Sequence, residues 1–335
     1  MGIRNLFLGS GGSTQNSIAV AHSTSPFVSA YPWSSGFGTK YSDPATLPAG
    51  SGTGIAFSPS GSHIAVAHTA TPFVSAYPWS STGFGTKYSD PATLPAGIGN
   101  GVAFSPSGAA IAVAHTTSPY VSTYPWSSGF GTKYSNPATL PASDGVGVTF
   151  SPSDSHIAVA HTTSPYVSTY PWSSGFGTKY SNPATLPTGT GRSVAFSPSG
   201  ATIAVAYSTT PFVSAYPWSS GFGTKYSDPA TLPTGIARAV AFSPSGSHIA
   251  VAHTTSPYVS TYPWSSGFGT KYSDPATLPT GVGTGIAFSP SGADIVVSHS
   301  TSPNVSTYPW SSGFGTKYSN PATLPTGTGN GVAFI

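Results

Sequence analysis

The sequence predicts an all-β chain folded as a closed seven-bladed β-propeller with four antiparallel strands per blade. Three observations predict it. The tripeptide Tyr-Pro-Trp recurs seven times, ending at Trp33, Trp79, Trp126, Trp172, Trp218, Trp264 and Trp310. The spacing is 46 residues, with one step of 47 where Thr82 is the extra residue, and that is the length of one propeller blade. No segment carries helical periodicity, and proline interrupts every candidate helix.

Each element follows from the unit. In one copy, residues 55–58 read as strand a, His63–His68 as b, 73–79 as c and 86–89 as d. Pro-Ser-Gly at 59–61 supplies the a–b turn, Thr-Pro at 71–72 the b–c turn, and the 80–85 stretch the c–d turn. These residues reverse strands by known backbone preferences. Strand b contains Ile-Ala-Val-Ala and has no polar face, as expected of a strand covered on both sides. Its alanines leave room for aromatics of the next blade. A single blade buries too little surface to stand alone, whereas a closed ring buries enough.

The ends predict closure. The repeat begins in strand b at residues 18–22 and finishes with a solitary strand a at 331–335. The C-terminal strand is expected to complete the first blade, with residues 3–8 as the competitor for that slot. The organisation is a 1–16 extension followed by one propeller over 17–335. Because the units are near-copies, register slips and swaps between blades cost little. The full-length chain is expected to be a monomer.

Composition narrows the function. The chain has 40 Gly, 34 Pro, 5% charged residues and 13% aromatics. The aromatic content argues against a disordered chain. Net charge is +3 without a basic run, so nucleic acid is not an expected partner. Cysteine is absent, which removes disulfides and thiolate chemistry. The apolar patch at 6–8 is too short for a signal-peptide core or a membrane span. A soluble protein without membrane insertion is expected.

Several series repeat around the ring. His22, His68, His115, His161, His253 and His299 end strand b, with Tyr207 in the fifth copy. Blades stand about 10 Å apart while metal ligands sit about 2 Å from the ion, so the series is expected to make hydrogen bonds to loops and no metal site is expected. His63, His156 and His248 share a position with Ala110, Thr202 and Asp294, which reads as solvent-facing. Asp43, Asp90, Asp228 and Asp274 alternate with Asn136, Asn182 and Asn320, which reads as turn capping before proline. Seven lysines, including Lys87 and Lys133, lie on strand d and read as edge protection. The deviations Arg192, Arg238, Tyr207, Asp144, Asp154, Asp294 and Asn304 look scattered, and no catalytic set or cofactor site emerges from them.

The candidate ligand site is an aromatic corner. It pairs Trp33 with Phe37, Trp79 with Phe84, Trp126 with Phe130, Trp172 with Phe176, Trp218 with Phe222, Trp264 with Phe268 and Trp310 with Phe314. If exposed beside the serines of the c–d turn, these rings would form sugar-binding platforms, and seven copies would add avidity. If folded back, they would pack the blade edges.

The run Gly-Val-Ala-Phe-Ser-Pro-Ser-Gly at 101–108, followed by Ile-Ala-Val-Ala at 111–114, resembles the start of a WD-type repeat. Tyr77 and Pro78 stand where that family has Trp-Asp, and the Gly-His dipeptide is missing. The whole unit, including Asp-Pro-Ala-Thr-Leu-Pro, is similar to propeller repeats of bacteriophage structural proteins. That resemblance implies a virion- or tail-associated protein that contacts a host surface. The expectation is therefore a non-enzymatic propeller, binding glycans or a host surface. The alternative is a rigid scaffold among other virion proteins, with no small-molecule ligand.

Overall fold

The structure, a computed structural model, describes residues 16–335. Most of the 1–16 extension, and the competing strand at 3–8, lie outside the described residues. Every described strand belongs to one of seven antiparallel sheets, and no described segment is helical. Blade 2 shows the pattern, with an inner strand Gly52–Phe57, a middle strand His63–His68 and an outer strand Val74–Ser80. Blades 3 to 7 repeat this order.

Blade 1 takes its inner strand from the other end of the chain. Gly329–Phe334 pairs with Ser17–His22, which pairs with Val28–Pro32. The register places Ala19 opposite Ala333 and Val20 opposite Val332. Each inner strand also lies against those of the blades before and after it, and the series returns through Gly329–Phe334 to Gly52–Phe57. The closure expected from the repeat boundaries is the one observed.

Packing explains the alternation in the middle strand. In blade 2, Ile64 and Val66 face blade 1, where they meet Ala19, Ala21 and Ala30. Ala65 and Ala67 face blade 3 and receive Phe104, Tyr124 and Trp126. Large side chains thus meet small ones across each interface, and the middle strands are almost wholly buried. Such interlocking is what close-packed interiors require.

The fourth strand is largely absent. Residues 86–89 form no strand; Tyr88 N–H donates a single bond of 2.9 Å to the Ala76 carbonyl. Among the described residues only blade 2 has a fourth strand, the two-residue Gly83–Phe84 paired with Trp79 and Ser80. The other six blades have an isolated Trp–Phe bridge at that place. The reason lies in the Tyr-Pro-Trp motif: Pro78 and its equivalents have no N–H to donate, so the ladder cannot continue outward.

Candidate functional site

The aromatic corners face inward. All seven tryptophans are buried, with exposures between 4% and 8%. Trp126 meets Phe130 of its own hairpin, Phe104 of its own inner strand, and Tyr88 and His63 of the preceding blade, all edge-on. The same cage surrounds Trp218, and Trp172 has its three aromatic rings with Ala110 in place of the histidine. Phe130 and its equivalents are half-buried. A sugar platform needs an open flat face, and these rings use their faces and edges to join adjacent blades. Of the two readings of the corners, the burial matches the one in which the rings fold back and pack the blade edges, and it corrects their assignment as ligand-binding platforms.

The outer rim is structural as well. His63, His156 and His248 are half-buried and accept the edge of the next blade's tryptophan, while bonding Tyr88, Tyr180 and Tyr272. They are not solvent positions. At the closure seam Asp294 replaces them, binding Trp33 Nε1–H at 3.0 Å and Tyr318 O–H at 2.9 Å. Asp43 and its equivalents, including Asn136, accept from the lysine three residues earlier, so Asp and Asn interchange as acceptors.

The six strand-end histidines are wholly buried. Nε2 of His68 lies 3.0 Å from Ser75 Oγ, and the same pairing recurs at His115, His161 and His253. Nδ1 of His22 and of His299 lies 2.8 Å from a carbonyl of the loop to the outer strand. Burial pushes the imidazoles down, to about 4 at His68, His115, His161, His253 and His299. Tyr207 keeps the serine partner through a 2.8 Å bond to Ser214. Among the described residues no three His or Asp side chains converge on one point as a metal would require.

The feature that breaks the sevenfold monotony is the axial channel. Its cavity is about 410 Å³ and is walled by the inner strands of all seven blades, large enough for a small metabolite. One layer is Ile55, Val102, Val148, Val194, Val240, Ile286 and Val332. The layer beside it is glycine on five blades, with Ser193 and Ala239 on the other two; neighbouring backbones come close there, and a Cβ on Gly54 would lie 3.0 Å from the Asn100 carbonyl oxygen.

The next layer carries the polarity. Around the ring it reads Asn330, Thr53, Asn100, Val146, Arg192, Arg238 and Thr284. Four of these tie adjacent blades together. Asn100 Nδ2 donates to the Gly145 carbonyl at 2.8 Å, and Asn330 Nδ2 to Gly52 at 2.8 Å. Thr53 and Thr284 donate to Gly99 and Gly329. The arc from Val146 to Arg238 has no such tie.

Arg192 and Arg238 occupy that open arc on adjacent blades. Arg192 is half-buried and its Nε–H has no hydrogen-bond partner. Desolvation, then the neighbouring charge of Arg238, lowers its pKa. No Asp and no His lines the channel, and the ion pairs among the described residues are all Lys–Asp pairs on the rim. The site can therefore hold an anion or polarise a carbonyl oxygen, and it offers no side-chain general base. The two arginines looked scattered in the sequence. Their spacing of one repeat period was the signal that they share a ring position.

No family model matches the chain, and no curated protein matches its sequence. Solved structures do resemble it. A proposed 6-phosphogluconolactonase from Bacteroides fragilis superimposes with a TM-score of 0.73 at 13% identity, covering 98% of this chain and 99% of its own. A second, from Bacteroides uniformis, gives 0.70 at 15%, covering 96% and 100%. The periplasmic gluconolactonase of Pseudomonas aeruginosa gives 0.70 at 13%, covering 96% and 99%. At these identities the likeness establishes the propeller fold alone. It nevertheless overturns the expectation of a non-enzymatic binding module or scaffold: propellers of this shape bear the names of lactone-opening enzymes, so regular repeats do not argue against an enzyme. The expected similarity to phage structural propellers is not supported.

Proposed function

We propose that this chain is a hydrolase that opens a small sugar-acid lactone in the axial channel. The observation that carries this reading is the pair Arg192 and Arg238, unpaired with any acid, on the arc of the channel where the polar layer makes no tie between blades. The lactonase-named propellers of the same shape support it. In this reading the guanidinium N–H groups bind the lactone carbonyl oxygen. A water oxygen adds to the carbonyl carbon, and negative charge grows on the bound oxygen. The ring C–O bond then breaks, the ring oxygen takes a proton and becomes a hydroxyl, and a carboxylate forms. Donors aimed at developing charge in a site of low polarity are among the strongest catalytic devices.

The test is hydrolysis of D-glucono-1,5-lactone and its 6-phosphate, followed by NMR against the spontaneous reaction. Catalysed opening is expected, falling about a hundredfold in Arg192→Gln or Arg238→Gln, as when one oxyanion donor is removed. Wild-type protein that leaves both spontaneous rates unchanged would refute the proposal.

A further inference from the structure

Resting on that reading, we infer that the arginine arc retains the ring-opened carboxylate more tightly than the lactone, so that the acid product regulates the site by occupying it. The argument is one of charge and shape. Lactone opening consumes water, breaks the ring ester bond and, at neutral pH, releases one proton to solvent. The reacting group thereby changes from a neutral ester to a carboxylate with two equivalent oxygens.

A neutral lactone offers the arginines one carbonyl oxygen. A carboxylate offers a full charge and a planar fork that matches guanidinium geometry. The protein supplies no competing anion, because no acid lines the channel. Arg192 and Arg238 also repel each other, and an anion between them removes that repulsion. The far arc competes less for the product, since Asn330, Thr53, Asn100 and Thr284 each commit a donor to a backbone carbonyl of the next blade. Val146 flanks the pair with an apolar side chain, so the polar contacts available to a ligand are concentrated at the arginines.

The experiment is isothermal titration calorimetry of the full chain with sodium D-gluconate, beside sorbitol as the uncharged polyol. Inhibition of lactone opening by gluconate is measured in parallel. Gluconate is expected to bind and to inhibit competitively, with a Ki at least tenfold below the lactone KM. Binding should weaken with added salt and fall at least tenfold in Arg192→Gln and Arg238→Gln, with circular dichroism checking their fold. Lys133→Gln on the outer rim should leave binding unchanged.

Equal binding of sorbitol, or gluconate binding indifferent to both arginine substitutions, would overturn the inference. So would lactone opening without gluconate binding, which leaves the lactonase reading intact. Gluconate binding without lactone opening would sink the lactonase reading and keep the carboxylate site.

Discussion

His115 offers a direct measure of what its burial costs. It is wholly buried, its Nε2 meets Ser122 Oγ at 3.0 Å, and its Nδ1 has no hydrogen-bond partner. Its pKa falls from 6.5 to about 4, chiefly because burial disfavours the charged ring. Between those values the unfolded chain binds a proton that the folded chain refuses. Stability is therefore full above pH 6.5, declines as pH falls below it, and stops declining from this source near pH 4. At pH 5 the loss comes to about 2 kcal/mol for such a shift. Four further histidines share the value. Together they put at risk about 10 kcal/mol, comparable with the whole stability of a domain. Blade 5 suggests the perturbation, because Tyr207 keeps the serine bond and its pKa is raised to about 12. In His115→Tyr, the stability difference between pH 8 and pH 5 should shrink by about 2 kcal/mol. Urea unfolding followed by tryptophan fluorescence at both pH values reads this difference. An unchanged difference would show that buried neutral imidazole is not the source of acid sensitivity.

Three other outcomes are expected. Asp294→Ala should cost about 2–3 kcal/mol by orphaning the buried Trp33 N–H, and Asp294→His should restore the ring contact but not the bond, since the indole N–H groups facing His63, His156 and His248 have no hydrogen-bond partner; thermal melts of the two variants decide this. Trp126→Ala should cost about 3–5 kcal/mol, because its ring fills the blade 2–blade 3 interface, and calorimetric unfolding would expose a smaller effect. Lactone opening should quicken with pH without a protein inflection between pH 5 and 9, because no Asp or His lines the channel; a bell-shaped profile measured by pH-stat would contradict that arrangement.

The ring, its blade count and its closure were legible because they depend on spacing and strand pattern. Ile-Ala-Val-Ala encodes a doubly covered strand in four letters, and its alanines accept Tyr124 and Trp126 as anticipated. The outer strand was misread because residues 86–89 alternate like a strand, while the missing N–H of Pro78 that halts the ladder lies on the neighbouring segment. The tryptophan corners could not be assigned from one unit, since Trp126 is covered by Tyr88 and His63 of another. Aligning the copies by phase would have revealed the channel ring, in which Arg192 and Arg238 hold one column with Asn100 and Thr53. Phase also explains Asn304. Phe73, Tyr120 and Asn304 share a position with φ near 70°, where Asn is less strained than other residues that carry a side chain.

Asp294 distinguishes one junction from six others that are almost interchangeable. Only where blade 7 meets blade 1 does an indole N–H find a carboxylate across the seam. A ring that left blade 7 out would set Trp33 against His248 of blade 6 and carry Asp294 out of the interface, whereas looping out a blade from 2 to 6 would leave the bond in place. The bond therefore acts as a latch on the closing seam, holding the last blade against the first whatever happens in the repeats between them. In amide and indole hydrogen exchange, Trp33 Nε1–H should be a slow indole proton and should lose that protection in Asp294→Ala.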